Sequence, residues 1–190
     1  MSEIFVFGGS NGSGKSTIAS KILSSLYPSP EFVNADVIAA QLNPNSVDTV
    51  AINASRQMLA RLKVLADTNA NFAFETTLAA RSFAPFLRKC QAKGYTVNLT
   101  YVWLKSTDLA IKRVARRVAS GGHNIPQDII IRRHQRGRDN FLNLYSPLAD
   151  NWIVYDNSQS STQVVAEKTI NNSPIIYLPS VWRQLDSKDL

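Results

Sequence analysis

The chain has 190 residues, 44% of them hydrophobic, and 21 Lys and Arg against 14 Asp and Glu give it a net charge of +7. This length and apolar share predict one well-buried core in a single domain over residues 1–190. No apolar run approaches the roughly 20 residues of a membrane span, the start MSEIFVFGG lacks the basic residues of a signal peptide, and Cys90 is the one cysteine. We therefore expect a cytoplasmic protein without disulfide or membrane anchor, in which Cys90 is a surface or half-buried helix residue.

Strand-like runs alternate with helix-like runs along most of the chain. The predicted strands cover residues 3–8, 32–36, 72–76, 96–104 and 152–157. The predicted helices cover residues 15–26, 47–69, 82–93, 106–119, 127–144 and 160–171. Such alternation is typical of βαβ units, so we expect an α/β fold with a central parallel sheet of about five strands flanked by helices. The tail from Ser173 offers an additional edge strand.

A glycine-rich loop joins the first predicted strand to the first helix. Its stretch from Gly9 to Ser16 fits GxxxxGK[ST] in the strand-to-helix context that a P-loop NTPase requires. Backbone N–H groups and the helix N-terminus would bind the β-phosphate, while Lys15 reaches the β and γ oxygens and Ser16 ligates Mg²⁺. A glycine-rich turn that merely opens a helix is the alternative. The predicted ATP-binding residues of the loop are Gly9, Ser10, Asn11, Gly12, Ser13, Gly14, Lys15, Ser16 and Thr17.

Polar residues stand where three predicted strands end. Asp36 closes FVNAD and Glu75 closes NFAFE, at the sheet edge where open α/β sheets bind ligands. A carboxylate there can take the proton of an acceptor hydroxyl. Asp36 also fits an ordinary helix N-cap, and Glu75 also fits a solvated loop. Asn157 follows the last strand, where a loop can pass the adenine of ATP or simply turn.

Residues 105–138 carry the whole net charge, with nine basic and two acidic residues. They read as two helices joined by Gly121-Gly122. The arginines that share a helix face are Arg113, Arg116 and Arg117 on the first helix and Arg132, Arg133 and Arg136 on the second. We predict a helical, arginine-bearing lid over about 106–138 that closes over ATP and excludes water. A solvated basic hairpin is the alternative. Because the arginine cluster is local, it favours a nucleotide over a nucleic acid as its ligand.

Several motifs together resemble the zeta toxin family of P-loop kinases, particularly its short members. The resemblance runs from about residue 3 to residue 158. The stretches that carry it are GGSNGSGKST, FVNADVIAAQLNP, FAFETTLAARS, GYTVNLTYVWLKSTDLAIKRVARRVASGGHNIP and IIIRRHQRGRDNF. Characterised toxins of the family phosphorylate the 3′-hydroxyl of the amino sugar in UDP-N-acetylglucosamine, and a small helical antitoxin holds them inactive. The resemblance therefore implies a kinase with ATP and Mg²⁺ as cofactors and a possible antitoxin-like partner.

Carried over position by position, the resemblance implies roles for individual residues. Lys15 and Ser16 match the lysine and the metal-binding hydroxyl of the loop. Asp36 matches the aspartate that deprotonates the sugar hydroxyl, and Glu75 and Thr77 match a Glu-x-Thr substrate contact.

Two arginines of the lid are also implied to grip the phosphates, one from residues 113–117 and one of Arg132 or Arg133. We take Arg117 and Arg133 as the catalytic pair and Arg113 as an ATP contact.

Two positions depart from the family pattern. The toxins have an arginine two residues beyond the threonine of Glu-x-Thr, whereas this chain has Ala79 and its nearest arginine is Arg81, which we assign to substrate binding. The residue before the base is basic in the toxins and is Ala35 here. Both departures bear on the choice of acceptor and leave phosphoryl transfer intact.

The sequence thus predicts an ATP-dependent small-molecule kinase, with UDP-N-acetylglucosamine as the first candidate acceptor. One alternative is a kinase of another small hydroxyl compound, such as a sugar acid or an antibiotic. The other is an ATP-dependent switch or RNA-binding module that uses the basic lid to grip nucleic acid.

Overall fold

The computed structural model describes residues 2–43, 47–122 and 124–187, without the side chains of Val47 and Asp48. Its centre is a mixed sheet in the order β2-β3-β1-β4-β5-β6-β7. The strands are β1 Glu3–Gly8, β2 Glu31–Val33, β3 Phe72–Thr76, β4 Thr96–Trp103, β5 Asn151–Asp156, β6 Gln163–Lys168 and β7 Ile175–Ile176. The first five in this order run parallel, whereas β6 and β7 are antiparallel additions at one edge. The predicted α/β fold with about five parallel strands is confirmed.

Helices cover both faces of the sheet. They are α1 Lys15–Leu23, α2 Ala35–Leu42, α3 Val47–Asp67, α4 Phe83–Ala92, α5 Thr107–Ala119, α6 Gln127–Asn140, α7 Ser146–Leu148 and α8 Pro179–Asp186, with a π-helix over Phe141–Tyr145 between α6 and α7. α1 packs on one face through Ala19 and Leu23 against Phe7 and Ala73. The hairpin of α5 and α6 has a small apolar core of its own, built on Ala110, Val114 and Ile130 among others. Within the described residues, no helix combines the length and the apolar character needed to cross a membrane.

The parallel register brings two loops side by side at the carboxyl edge of the sheet. Gly8, the last residue of β1, pairs in register with Thr76, the last residue of β3. The glycine-rich loop that follows Gly8 therefore lies next to the loop that follows Thr76. This is the edge at which a parallel sheet is expected to bind its ligands.

One predicted helix is wrong, because residues 160–171 contain strand β6. Val165 and Ala166 are fully buried in the sheet, and β6 pairs antiparallel with β5. The apolar run is too short for its periodicity to separate a helix from a strand. Pairing with the open edge of β5 decides the outcome. The predicted edge strand beyond Ser173 is confirmed as β7.

The environments of Asp36 and Cys90 also differ from expectation. β2 ends at Val33, and the side chain of Asn34 caps α2 by accepting a hydrogen bond from the Asp36 N–H at 2.8 Å. Asp36 therefore neither closes the strand nor caps the helix, but lies in the first turn of α2. Cys90 is only 2% exposed because it lies on the inner face of α4 with Leu87, and burial raises the pKa of its thiol to about 11.

Candidate phosphotransfer site

The glycine-rich loop adopts a backbone that side chains would block. Gly9 and Gly12 have φ values of 146° and 76°, in the left-handed region that favours glycine. A Cβ on Gly9 would lie 2.3 Å from the Val102 carbonyl oxygen, and one on Gly12 would lie 2.8 Å from that of Ala110. The loop is thus packed closely against the end of β4 and against α5. The loop thus presents its backbone, without side chains at its glycines, at the N-terminus of α1, where anions bind favourably.

Lys15 and Glu75 form a buried pair beside this loop. The Lys15 ammonium donates to the Ser10 carbonyl oxygen at 3.1 Å and lies 3.7 Å from Glu75 Oε1, and each of the two side chains is 8% exposed. Glu75 Oε2 and the hydroxyls of Ser10 and Ser13 are buried without a hydrogen-bond partner among the described residues. Unpartnered buried polar groups are costly, so groups of this kind are expected where a ligand supplies the missing partner.

A cavity of about 410 Å³ opens next to Lys15. It lies between the glycine-rich loop, α2, α3, the loop after β3, and α6. The polar residues on its wall are Asn11, Lys15, Asn34, Asp36, Ser55, Glu75, Thr76, Thr77, Arg132, Arg133 and Arg136. Five residues assigned from the sequence to catalysis or substrate binding meet here: Lys15, Asp36, Glu75, Thr77 and Arg133.

Asp36 and Thr77 both line this cavity, and they belong to different elements. Asp36 is solvent-exposed in the first turn of α2, where its carboxylate is open to a ligand. Thr77 belongs to the loop after β3, together with Ala79 and Ala80, which also line the cavity. Arg81 is exposed one residue further on and does not contribute to the described wall. The arginine assigned to substrate binding is therefore not brought to the cavity, and its role stays a prediction.

Three arginines of α6 also line this cavity. Arg132, Arg133 and Arg136 line the cavity, and Arg133 Nη1 donates to the Asn11 side-chain oxygen in the glycine-rich loop at 3.3 Å. Arg132 was the alternative to Arg133 as a predicted phosphate contact, and Arg136 was predicted only to share their helix face. Their spacing i, i+4 was the signal that placed them together.

The arginines of α5 take a different position. Arg113 lies against the glycine-rich loop, since its Cβ would be 3.2 Å from a Cβ on Gly12. Arg117 is exposed, and its carbonyl accepts from the Gly122 N–H at 2.9 Å at the end of α5. Arg113 thus adjoins the predicted ATP site, whereas Arg117 is absent from the described wall of the cavity. The catalytic role assigned to Arg117 remains a prediction.

Asn157 braces the glycine-rich loop from the side of β5. Its amide donates to the Ser13 carbonyl oxygen at 2.7 Å, and its side-chain oxygen accepts from the Thr162 hydroxyl at 2.8 Å. Both ends of the side chain are therefore engaged within the protein. Its predicted contact with ATP stays a prediction. Ser16 and Thr17 are exposed in the first turn of α1, just beyond Lys15.

A buried histidine fixes α6 to the end of β4. The His134 Nε2 lies 3.0 Å from the Leu104 carbonyl oxygen, which assigns the proton to Nε2 in the neutral ring. Burial lowers the pKa of His134, and the nearby Arg138 charge also lowers it. The helix that carries the cavity arginines is thus anchored by a neutral imidazole.

The chain matches known proteins in sequence and in fold. It is 30% identical over 126 residues to an uncharacterized protein of Haemophilus influenzae, a match that covers 66% of this chain and 88% of that protein. Its fold superposes on the AvrRxo1-ORF1:ORF2 complex crystallised with ATP with a TM-score of 0.81 at 16% identity, covering all of this chain and 65% of that one.

A second solved structure is that of the PezAT toxin-antitoxin system of Streptococcus pneumoniae. It has a TM-score of 0.67 at 17% identity, and the match covers 97% of this chain and 77% of that one. The chain thus spans just under two thirds of the AvrRxo1 chain and about three quarters of the PezAT chain. The family model described as "Zeta toxin" matches residues 3–169. The chain belongs to the Zeta toxin family.

Proposed function

We propose that this protein is an ATP-dependent phosphotransferase that moves the γ-phosphate of ATP to a hydroxyl of a small metabolite, with UDP-N-acetylglucosamine as the first candidate. The observation that carries the proposal is the cavity of about 410 Å³ that begins at Lys15. A hydrolase needs room only for water beyond the γ-phosphate, whereas this volume suits a small organic acceptor. The family and the ATP-bound AvrRxo1 complex support the same reading.

The residues on the cavity wall supply the parts of an in-line transfer. Asp36 takes the proton of the acceptor hydroxyl while the oxygen of that hydroxyl forms the new bond to the γ-phosphorus. The bond from that phosphorus to the oxygen bridging to the β-phosphate breaks, and ADP leaves with the electron pair. Lys15 and Arg133 stabilise the charge on the transferring group. Glu75 and Thr77 contact the acceptor.

The residues present fit a magnesium ion held largely by the nucleotide. The described residues contain no cluster of three or more His, Cys, Asp or Glu side chains suited to a metal. Mg²⁺ commonly keeps several waters and binds through substrate phosphates and one or two protein oxygens. The exposed Ser16 hydroxyl at the start of α1 would be such an oxygen, and the ion would neutralise charge on the β- and γ-phosphates.

The proposal is tested by mass spectrometry of acceptors after incubation with the protein, ATP and Mg²⁺. UDP-N-acetylglucosamine is tested first, then sugar acids and hydroxyl-bearing antibiotics. In Asp36→Asn, the rate at which the phosphorylated acceptor forms is expected to fall at least about 100-fold, since general base catalysis contributes roughly this much. Asp108→Asn is the matched control, because Asp108 is an exposed aspartate in the first turn of α5 away from the cavity.

The outcomes separate the parts of the proposal. Phosphorylation of another acceptor but not of the UDP-sugar would keep the kinase and reject the first candidate. Full activity in Asp36→Asn would reject Asp36 as the base. ATP turnover that needs RNA and phosphorylates no small molecule would favour the switch or RNA-binding alternative.

We also infer a protein partner of the antitoxin kind. The AvrRxo1 and PezAT structures are each described as a two-component complex or system. Co-purification of this chain with the product of an adjacent gene, and loss of its phosphotransfer in that complex, would support the inference. Full activity of the complex would contradict it.

A further inference from the structure

The loop after β3 contains a turn that needs external support. Leu78 has a φ of 58°, in the left-handed region that a leucine rarely adopts, and its side chain is completely buried. The Thr76 hydroxyl accepts from the Leu78 N–H at 3.1 Å. A Cβ on Gly8 would lie 2.6 Å from Leu78 Cδ1, so the leucine side chain fills the space that this glycine leaves. A strained backbone of this kind persists only where its surroundings hold it.

That support comes from α6 and the π-helix that follows it. The Thr77 carbonyl oxygen would lie 2.3 Å from a Cβ on Gly137, so the loop rests directly on the helix at its one glycine. The Asn140 amide donates to the Leu78 carbonyl oxygen at 2.8 Å and to the Ala79 carbonyl oxygen at 3.2 Å. The Tyr145 hydroxyl donates to the Ala80 carbonyl oxygen. Four consecutive carbonyl groups of the loop are thus turned toward one helical segment.

The same segment carries the arginine wall of the cavity. Arg132, Arg133 and Arg136 precede Gly137, and Thr77, Ala79 and Ala80 of the loop line the same cavity. Asn140 therefore joins the loop that contacts the acceptor to the helix that contacts the transferring phosphate. Loss of the two hydrogen bonds of Asn140 would release the strained turn and change the distance between the loop after β3 and α6.

We propose that Asn140 is a positioning residue for the acceptor. It acts through the backbone of residues 78 and 79, not through contact with the substrate. Its hydrogen bonds hold the loop after β3 at a fixed distance from the arginines of α6. The inference rests on the proposed phosphotransferase function and adds to it a residue that determines how the acceptor is held. The Asn140 amide bonds to the loop after β3 and not to the glycine-rich loop, where ATP is proposed to bind, so we expect ATP binding not to depend on Asn140.

The test compares Asn140→Leu, which keeps the approximate size but cannot donate, with Asn143→Leu. Asn143 is an exposed asparagine on the same segment, and its amide donates to a carbonyl of its own helix, that of Asp139, at 2.8 Å. With the wild-type protein and an acceptor identified as above, the KM for the acceptor and for ATP, kcat and the melting temperature are measured. For Asn140→Leu, we expect the acceptor KM to rise about 10- to 100-fold and the ATP KM to stay within about twofold.

A merely structural role for Asn140 would lower the melting temperature and the active fraction but leave both KM values unchanged, and that result would overturn the inference. Asn140→Asp provides the same test if Asn140→Leu does not fold, because it keeps the shape and exchanges the donor for an acceptor. Asn143→Leu is expected to match the wild type in both KM values. A wild-type protein that phosphorylates no acceptor would overturn the proposed function and this inference with it, whereas an active protein with an unchanged acceptor KM in both Asn140 variants overturns only the inference.

Discussion

At the scale of single residues, the partners of the half-buried and buried polar side chains distinguish a structural role from a predicted binding role. His134 and Asn157 have partners within the protein, at Leu104 and Ser13. Glu75 has Lys15 on one carboxylate oxygen and no hydrogen-bond partner among the described residues on the other. The first two residues brace α6 and the glycine-rich loop, whereas Glu75 is half-satisfied and faces the cavity. A free oxygen on a buried carboxylate is therefore the stronger indication of a binding role.

The burial of His134 predicts a loss of stability at mildly acid pH. Its pKa is lowered in the folded protein, so below about pH 6.5 the unfolded chain binds a proton that the folded one does not. The contribution of neutral His134 to the free energy of unfolding is therefore fully present above about pH 6.5 and decreases as the pH falls below that value. We expect the free energy of unfolding in urea to fall between pH 7 and pH 5.5, by at most about 1.4 kcal/mol per pH unit.

The control is His134→Gln, whose amide can still donate to the Leu104 carbonyl oxygen but does not titrate. Its unfolding free energy should vary less over the same range than that of the wild type. Equal pH dependence in the two proteins would mean that another group is responsible.

At the scale of elements, the hairpin of α5 and α6 is packed against its surroundings more closely in some places than in others. The C-terminal half of α6 is held to the loop after β3 by Gly137 and Asn140. Among the described residues, no atom outside its chain neighbours lies within 4 Å of a Cβ built on Gly121, at the joint between the two helices. If the predicted lid closes over ATP, we expect the chain to bend at Gly121.

This division predicts different effects for two otherwise equivalent glycine substitutions. Gly121 and Gly94 have φ values of 85° and 90°, and each follows the end of a helix. In the part of the chain that the structure describes, nothing beyond the chain neighbours lies within 4 Å of the missing Cβ of either glycine. Alanine should cost about 1 kcal/mol of unfolding free energy at either site, from backbone strain alone. If the joint must bend, Gly121→Ala lowers kcat and Gly94→Ala does not. Equal kcat values in the two variants would contradict a hinge at Gly121.

At the scale of the whole molecule, the residues that line the cavity come from elements far apart in the chain, namely the glycine-rich loop, α2, α3, the loop after β3 and α6. α2 and α3 pack against each other and flank the acid side, while α6 carries the basic side. A nucleotide that contacts the glycine-rich loop and the hairpin together should therefore stabilise the whole fold. A ligand that binds only the native state raises stability by mass action.

Thermal unfolding with ATP and Mg²⁺ measures this effect. At ATP concentrations about 100 times the Kd, we expect roughly 2.7 kcal/mol of stabilisation and a melting temperature higher by about 5–10 °C. Lys15→Met removes the ammonium that is predicted to reach the phosphates. On addition of ATP and Mg²⁺, the melting temperature of this variant should rise much less than that of the wild type. An equal rise in both proteins would place the nucleotide elsewhere.

The sequence by itself determined the architecture and the phosphate loop, because both depend on local patterns. Alternating strand and helix periodicity predicted the five parallel strands, and the spacing of Gly9, Gly14 and Lys15 predicted the loop at the end of β1. Local pattern was insufficient where pairing decided the outcome: β6 is a strand because the edge of β5 was open to it, and Asp36 lies inside α2 because Asn34 caps that helix.

Only the tertiary structure decided which charged residues share the cavity. Arg133 and Arg117 are equivalent in the sequence pattern, yet α6 turns Arg133 toward Asn11 while Arg117 lies at the exposed end of α5. Asn140 and Leu78 lie 62 residues apart, and no periodicity links them. Their contact exists because parallel pairing sets the loop after β3 beside the glycine-rich loop, and α6 packs against that loop through Gly137 and Asn140.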